Sequence, residues 1–415
     1  MSETNWLERL DLFTNEIQQD SICWENLTDL EEKSIRCLLA GAIADSFANQ
    51  LKPTDTFDKL FQNPIKQLRN DARWNENTSI TLIISLSLIE KNQLNSYDQL
   101  VKLKRWWKHG YLSSNGRPTY VSLFEFVFLY LLSHRKINVS MRQSLEKLQK
   151  HENELRRQRN LRPIDNKSCR YGSLLYFDDS PLSRVAPIVL FFYSKDVSPN
   201  EILSLVKQSV EQTHLDSRVI DCCRYLAIIF YSILEGDNKQ MFLSNHFSER
   251  CYKKGWLGSS RIHYLVEKIS QGSYKKADGY FQGIRSNSSD ILCSLETILW
   301  CLWSDNDIFE RGLIQIVQLG NHPTSIASVY GQLAALLYLP ENNIPIEWID
   351  QLYAKHFIES IGKLLVSHKH LPIIQFDESN EDKVNLWKIL FPTTTTTKAN
   401  QTKIDRRPFA FGAMQ

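Results

Sequence analysis

Apolar residues along this chain recur at the spacing of α-helices. One set near the amino terminus places a continuous apolar stripe on one helix face. Its members are Ile35, Leu38, Leu39, Ala42 and Ile43. A second set follows Asp216 and comprises Val219, Cys222, Cys223, Leu226, Ala227 and Phe230. Because the alternating patterns typical of strands are rare, we predict an all-α protein.

Polar residues at the ends of these stripes mark predicted helix starts. Thr28 and Glu31 have the spacing of a capping box, in which each side chain accepts a backbone N–H of the first turn. Ser198 precedes Pro199, and proline is favoured at the first helical position. The other predicted caps are Asp216, Ser289, and either Thr324 or Ser325.

Two internal segments depart from the apolar periodicity. Met141–Arg162 is highly charged and carries few large apolar residues. Because glutamates interrupt its basic residues, the composition favours a solvated helix or an ordered insertion over a nucleic-acid-binding patch. Phe247–Asn287 holds several Gly, Ser and Lys residues and is predicted to be rich in loops.

The two ends of the chain differ from its helical middle. We predict an N-terminal extension over residues 1–27, one helical domain over 28–392 and a flexible C-terminal tail over 393–415. The tail begins with a run of threonines, and such polar runs cannot bury enough surface to order themselves. Phe409 and Phe411 could dock on a protein partner or in this protein's own groove, or they could belong to a frayed terminus.

Composition narrows the classes of function. The 415 residues include 49 Lys and Arg against 47 Asp and Glu, so the formal charge of +2 gives no electrostatic reason to expect nucleic acid or an anionic membrane as partner. No apolar stretch approaches the roughly 20 residues needed to cross a bilayer. The eight cysteines lack zinc-like spacing, as expected in a reducing compartment. Since the N-terminus lacks a secretory pattern, we predict a cytoplasmic protein.

Three segments resemble, in order, the motifs of the ADP-ribosylglycohydrolase family. Cys37–Phe47 is similar to the family's first core helix, and Asp45 stands at the position of the family's aspartate. Trp74–Leu82 resembles the segment aromatic-T-D-D-T that opens a long helix. Leu319–Ile326 resembles L-G-G-D-x-D-T-I, which also opens a helix.

Two further segments resemble the family less closely. Ser180–Ile188 is similar to G-N-G-x-x-M-R-x-x-P and keeps its arginine as Arg184. Arg184 could face a phosphate of ADP-ribose, or it could pair with Asp178 or Asp179. Thr213–Arg218 is similar to T-H-x-D-x-R. The resemblance as a whole spans roughly residues 30 to 365.

The resemblance implies a multi-helix orthogonal bundle and a hydrolase that releases ADP-ribose from protein side chains, typically arginine. The family's two acidic motifs gather around a pair of Mg²⁺ ions, which need several carboxylate oxygens to balance their charge. At the positions of the four motif aspartates this chain has Glu76, Asn77, His322 and Thr324. One carboxylate cannot offset four positive charges, so we predict that the Mg²⁺ pair is absent and that no cofactor is bound.

A different chemistry could survive at the same place. If the chain is active, Glu76 and His322 are the candidate catalytic residues, either as an acid–base pair or as ligands of one transition metal. The alternative is a polar helix start that persists only because its N–H groups need acceptors. The candidate ligand-binding residues are Asp45, Asn75, Asn77, Thr78, Arg184, Thr324 and Ser325.

Three hypotheses for function follow from this resemblance. The favoured one is a catalytically degenerate member that acts by binding, either as a regulatory or scaffold subunit or by recognising ADP-ribose or another nucleotide. The second is a hydrolase of ADP-ribosyl N-glycosidic bonds with a remodelled site that lacks the Mg²⁺ pair. The third is an interaction protein whose old cleft has closed.

Overall fold

The computed structural model describes residues 26–50, 72–115, 137–158, 164–276, 290–319, 323–338 and 344–367. These residues form fifteen α-helices and three short 3₁₀ helices, and they contain isolated β-bridges but no strand. The all-α prediction is confirmed. Nearly all of the predicted N-terminal extension, and the whole predicted tail with Phe409 and Phe411, lie outside the described residues.

The helices are numbered here in chain order. The first eight are α1 (Asp29–Gln50), α2 (Glu76–Lys91), α3 (Ser96–His109), α4 (Val139–Arg157), α5 (Val185–Tyr193), α6 (Pro199–Glu211), α7 (Ser217–Leu234) and α8 (Lys239–Phe242). The others are α9 (Phe247–Lys253), α10 (Tyr264–Ser270), α11 (Ile291–Ser304), α12 (Phe309–Leu319), α13 (Pro323–Leu337), α14 (Ile346–Gln351) and α15 (Lys355–Val366). The 3₁₀ helices are Asn166–Ser168, Ser180–Arg184 and Ser273–Lys275. None of the described helices is both long and apolar enough to span a membrane.

Predicted capping residues begin three of the helices. Before α1 the Glu31 N–H donates to Thr28 Oγ1 over 3.2 Å, and the Thr28 N–H donates to Glu31 Oε2 over 2.9 Å. Ser198 Oγ accepts the Glu201 N–H at the start of α6. Asp216 Oδ1 accepts a first-turn N–H of α7. These three predicted helix starts are confirmed.

Two other predicted helix starts were wrong by at least one residue. The cap of α11 is Asp290, which accepts a first-turn N–H over 2.8 Å, rather than Ser289. Helix α13 already begins at Pro323, so Thr324 and Ser325 lie inside its first turn and neither is its cap. Proline fits this first helical position because it has no N–H that needs an acceptor.

Helices form in both atypical internal segments, as one of the two predicted alternatives for Met141–Arg162 and beyond the prediction for Phe247–Asn287. Helix α4 covers most of the charged segment and buries Met141, Leu145 and Leu148 on one face, so this segment forms an amphipathic helix. The segment predicted to be rich in loops contains α9, α10 and a 3₁₀ turn, and its residues 277–289 lie outside the described part.

Helix α1 is at the centre of the described fold. All its residues from Cys37 to Ala48 are buried, and α13 and α15 pack against it more extensively than any other helices. Gly331 of α13 lies so close to α1 that a Cβ atom there would stand 2.6 Å from the Ala40 carbonyl oxygen. On α15 the Gly362 carbonyl oxygen accepts the Ser34 hydroxyl over 2.7 Å. The spacing of these three helices is therefore set by backbone contact.

Helix α2 is fixed to its neighbours by buried polar contacts. The Thr81 hydroxyl donates to the Ser183 carbonyl oxygen over 2.8 Å. At the other end of α2, Lys102 of α3 pairs with Glu90 at 2.8 Å and with Asp98 at 2.6 Å. These contacts hold α2 against the 3₁₀ helix Ser180–Arg184 at one end and against α3 at the other.

Candidate functional site

The start of α2 meets α1 at a buried carboxylate. Asp45 of α1 is 0% exposed. Its Oδ2 atom accepts the Asn75 N–H over 2.9 Å, the Thr78 N–H over 3.1 Å and the Thr78 hydroxyl over 2.8 Å. Its Oδ1 atom accepts the Asn77 side-chain amide over 3.3 Å. The structure thus brings together four of the candidate ligand-binding residues.

Asp45 caps α2 from a different helix. Asn75 occupies the N-cap position of α2, but its own side chain makes no capping hydrogen bond. The first turn of a helix has N–H groups without partners, and here the Asp45 carboxylate accepts one of them. Burial raises the pKa of Asp45 to about 6, even though hydrogen bonds from Thr78, Asn77 and Asn75 favour its ionised form. This carboxylate is therefore committed to holding the start of α2.

The first turns of α2 and α13 touch each other directly. The Asn77 side-chain amide donates to Thr324 Oγ1 over 3.4 Å. Asn77 is buried. Glu76, which precedes it in α2, is partly exposed, and so is Thr324. His322 lies outside the described residues, so its proximity to Glu76 stays a prediction.

A second buried carboxylate lies beside the start of α13. Asp179 is 4% exposed, and its Oδ2 atom accepts the Ser294 hydroxyl of α11 over 2.7 Å. Burial raises the pKa of Asp179 to about 7, and the charge of Asp178 adds to that rise while the Ser294 hydrogen bond opposes it. The Ser325 hydroxyl is near enough to lower the pKa as well, but its Oγ atom makes no well-formed hydrogen bond.

The sequence predicts no role for Asp179 beyond pairing with Arg184. The sequence signal that could have identified Asp179 is the pair of consecutive acids Asp178 and Asp179. This pair directly precedes Ser180–Ile188, the segment that resembles a family motif. Carboxyl groups with pKa values near neutrality are enriched at functional sites, because burial of an unpaired acid is otherwise unfavourable. Asp179 therefore joins the candidate residues.

Arg184 lies in the core, away from the surface. It is 0% exposed, its Nη1 donates to the Ser209 carbonyl oxygen over 2.9 Å, and its Nη2 donates to Thr213 Oγ1 over 2.9 Å. Burial lowers the pKa of Arg184 to about 10. The alternative of direct pairing with Asp178 or Asp179 is wrong, because both Nη atoms donate to neutral oxygens and neither carboxylate is an ion-pair partner. Its buried position gives no support to a phosphate contact.

Asp178 and Arg184 are connected only through intermediates. The His214 ring lies with Nδ1 2.8 Å from Thr213 Oγ1 and with Nε2 3.1 Å from Asp178 Oδ2. The Ser140 hydroxyl at the start of α4 donates to the same Oδ2 over 2.6 Å. Burial by itself raises the pKa of Asp178, but the contacts with His214 and Ser140 outweigh it and hold that pKa well below its usual range. This chain of contacts stabilises the turn that carries Asp179.

A family profile described as ADP-ribosylglycohydrolase matches residues 26–372, which is most of the chain. The chain belongs to the ADP-ribosylglycohydrolase family. The multi-helix bundle described above is therefore the family's fold, and the order of the three sequence motifs along α1, α2 and α13 agrees with this assignment.

Individual proteins of this family align with most of the chain. The ADP-ribosylarginine hydrolase Tri1 of Serratia proteamaculans (strain 568) is 24% identical over 346 residues, covering 80% of this chain and 79% of the relative. The protein of the same name from Pseudomonas putida (strain GB-1) is 25% identical over 294 residues, covering 71% of this chain and 66% of the relative. A solved structure described as an ADP-ribosylglycohydrolase-related protein complex has a TM-score of 0.57 at 20% identity, covering 82% of this chain and 99% of that one. The last likeness concerns the fold alone.

The donor groups at the site do not fit the two Mg²⁺ ions that the family resemblance implies. Asp45 is occupied by four hydrogen bonds, and the neutral side chains of Asn77 and Thr324 contact each other. In the part of the chain that the structure describes, no group of three or more His, Cys, Asp or Glu side chains is placed to hold a metal ion. A pair of Mg²⁺ ions requires several carboxylate oxygens, and Glu76 supplies one carboxylate.

Asp179→Asn is expected to stabilise the protein at alkaline pH. The folded-state pKa of about 7 lies above the usual value of 3.8, so the charged form of Asp179 opposes folding. Below about pH 4 this residue does not reduce the free energy of unfolding, because it is protonated in both the folded and the unfolded state. As the pH rises from there through 7, the free energy of unfolding of the wild type falls. In low-salt Tris buffer at pH 8, the free energy of unfolding of the variant should exceed that of the wild type by about 2–3 kcal/mol. Urea unfolding measured at several pH values should give a difference that shrinks steadily towards pH 4. A difference that does not change with pH would contradict this account.

Proposed function

We propose that this chain binds an ADP-ribose group, free or attached to a protein, and does not hydrolyse it by the family's two-metal route. The observation that supports this most directly is the contact between Asn77 and Thr324, because two neutral side chains meet where the resemblance implies metal-binding acids. The family membership and the names of the two bacterial relatives support ADP-ribose as the ligand.

The arrangement of the two helix starts supports a protein that binds ADP-ribose but does not hydrolyse it by the two-metal route. Both helix starts are held in place by protein contacts, since Asp45 secures α2 and Asn77 links α2 to Thr324. Helix N-termini attract anionic groups such as phosphates. With neutral residues at 77 and 324, the starts of α2 and α13 repel a pyrophosphate less than a set of aspartates would.

The test compares binding and hydrolysis in the same preparation. Full-length protein should bind ADP-ribose in calorimetry with a Kd that changes less than about twofold between buffer with Mg²⁺ and buffer with EDTA. It should release no ADP-ribose from an ADP-ribosyl-arginine peptide. The variant Glu76→Asp/Asn77→Asp/His322→Asp/Thr324→Asp, which restores the four motif acids, should bind Mg²⁺ in the same calorimeter.

Hydrolysis by the wild type would decide against this proposal. If ADP-ribose is released in the presence of Mg²⁺ and Glu76→Ala abolishes the release, the protein is a metal-dependent hydrolase. Glu201→Ala is the matched control, because it removes an exposed carboxylate from α6 and should leave either result unchanged.

A protein that binds no ADP-ribose at all would favour a scaffold role, for which the tail residues Phe409 and Phe411 are the proposed contact. A cytoplasmic location likewise stays a proposal from composition.

A second candidate is a hydrolase with a remodelled, metal-independent site. It is favoured by Asp179, because a buried carboxyl with a pKa of about 7 can donate or accept a proton near neutral pH. This residue adds to the predicted pair Glu76 and His322. Release of ADP-ribose in EDTA, reduced at least about 100-fold in Asp179→Asn, would select this candidate over the first.

A further inference from the structure

Three partly exposed aromatic side chains form a row on the surface, named here the aromatic row. Tyr193 ends α5, Tyr231 lies in the last turn of α7, and Trp256 follows α9. The ring centroids of Tyr193 and Tyr231 are 5.5 Å apart, and those of Tyr231 and Trp256 are 5.2 Å apart. Neighbouring rings stand nearly perpendicular, at 74° and 75°, so they form notches instead of one flat platform.

Hydrogen bonds to the backbone hold both ends of the aromatic row. The Tyr193 hydroxyl donates to the Leu234 carbonyl oxygen over 3.1 Å, which ties the end of α5 to the end of α7. The Trp256 N–H donates to the Cys251 carbonyl oxygen of α9 over 2.9 Å. The rings are therefore positioned before any partner arrives, and rigid aromatic side chains lose little conformational entropy on binding.

Two exposed acids lie at the Tyr193 end of the row. The Glu235 N–H donates to the Tyr231 carbonyl oxygen over 3.0 Å, and the Asp196 N–H donates to the Tyr193 carbonyl oxygen over 3.0 Å. Burial raises the pKa of Tyr193 to about 12, and the negative charges of Glu235 and Asp196 add to that rise. This end of the row is therefore acidic.

The basic residues near the row are placed differently. The Lys254 ammonium lies over the Trp256 ring, 4.1 Å from its centroid, at the end opposite the two acids. Lys195 is close to the acids in sequence, but its ammonium donates to the Asn92 carbonyl oxygen over 3.3 Å. The aromatic row thus has an acidic end and a basic end.

The ring geometry selects the kind of partner. Nucleobases stack on open, flat ring faces, whereas here the rings meet at right angles and Lys254 lies over Trp256. A polyproline II helix docks instead on grooves lined by aromatic side chains. Residues one turn apart in that helix are separated by about 9 Å, a distance that the two ring separations together can span.

We propose that the aromatic row binds a proline-rich segment of a protein partner in the polyproline II conformation, with a basic residue of that segment at the Tyr193 end. Two prolines three residues apart contact the outer rings, Tyr193 and Trp256. The basic side chain, arginine by preference, pairs with Glu235 and Asp196. An acidic residue at the other end of the segment suits Lys254.

The aromatic row is separate from the proposed ADP-ribose site. Lys195, two residues after Tyr193, contacts Asn92, which directly follows α2. Asp45 secures the start of this 16-residue helix, about 24 Å away at 1.5 Å per residue. The proposal does not rest on binding of ADP-ribose, and the two tests have independent outcomes.

The test is fluorescence anisotropy of full-length protein with the labelled peptide Arg-Ala-Pro-Pro-Ala-Pro-Pro-Ala. We expect saturable binding. A peptide with alanine in place of every proline should bind at least about tenfold more weakly, because it loses both the preformed helix and the ring contacts. A saturating concentration of ADP-ribose should not displace the proline-rich peptide.

Two variants with matched controls locate the binding. Trp256→Ala should weaken binding at least about tenfold, whereas Trp303→Ala removes a tryptophan that is 47% exposed on α11 and should leave it unchanged. Glu235→Lys should weaken binding about fivefold and should instead favour a peptide whose arginine is replaced by glutamate. Asp350→Lys reverses an exposed charge on α14 and should bind like the wild type.

Nuclear magnetic resonance of protein labelled with ¹⁵N-tryptophan identifies the contact directly. The peptide should shift the indole N–H signal that is missing from Trp256→Phe. Absence of saturable binding would overturn the proposal, as would equal affinity of the wild type and Trp256→Ala. A shift of that signal by oligothymidine but not by the peptide would also overturn it. If Trp256→Ala does not fold, failure of Glu235→Lys to reverse the charge preference is sufficient to overturn it.

Discussion

Asp45→Ala is expected to lower the free energy of unfolding by about 4 kcal/mol. The substitution removes the acceptor of four donors at the start of α2, which are the N–H groups of Asn75 and Thr78, the Thr78 hydroxyl and the Asn77 amide. Each donor left unsatisfied in a buried site costs about 1–3 kcal/mol, and loss of the unfavourable buried charge offsets part of the sum. Urea unfolding followed by helical circular dichroism measures the effect.

A conservative variant and a surface control separate the hydrogen bonds from general effects of removing an acid. Asp45→Asn keeps one acceptor oxygen and should lose roughly half as much stability as Asp45→Ala. Asp350→Ala removes an exposed carboxylate that pairs with Lys355 and should change stability by no more than about 0.5 kcal/mol. If Asp45→Ala is as stable as Asp350→Ala, Asp45 does not secure α2.

Gly331→Val is expected to be at least as damaging, with a loss of about 4 kcal/mol or failure to fold. A Cβ atom at Gly331 would lie 2.6 Å from the Ala40 carbonyl oxygen and 2.8 Å from the Ala44 Cβ atom. Both neighbours belong to the backbone or the first side-chain atom of α1, so no rotamer change can relieve the overlap. The two helices would have to separate, and Thr324 on the same helix would move away from Asn77.

The measurement therefore has two parts, which are thermal unfolding and calorimetric binding of ADP-ribose. Gly331→Ala should lose roughly 2 kcal/mol, since the added methyl meets the same atoms but the helix gains propensity. The matched control is Gly255→Ala, whose added Cβ meets nothing within 4 Å and whose φ of 72° costs about 1 kcal/mol through backbone strain alone. If Gly255→Ala and Gly331→Ala lose the same stability, the close contact with α1 is not the reason that position 331 requires glycine.

Local sequence signals were sufficient for much of the fold. The capping box at Thr28 and Glu31 was identified because its partners are three residues apart. The inward face of α7 follows from the same short-range periodicity. The start of α13 was misplaced because Pro323, Thr324 and Ser325 all suit a helix start, and only the folded chain decides which position each takes.

The site was harder to predict because its contacts join distant parts of the chain. Asp45 and Thr78 are 33 residues apart, and Asp179 and Ser294 are 115 residues apart. The family resemblance pointed to the right region around Asp45, but it gave no indication that the carboxylate caps α2. Arg184 illustrates the same limit, since its residue type suits phosphate binding while its burial depends on the packing of helices far from it in sequence.

The position of Asp45 beneath the first turn of α2 bears on how such a protein changes over evolutionary time. Because the helix start is secured from the interior, by a side chain that solvent does not reach, mutations at the outward positions 76 and 324 need not unfold it. Selection on these outward positions and selection on the scaffold are thereby uncoupled. A lineage that changes the outward residues therefore keeps the start of α2 in place, and new side chains can be tried there without rebuilding the architecture.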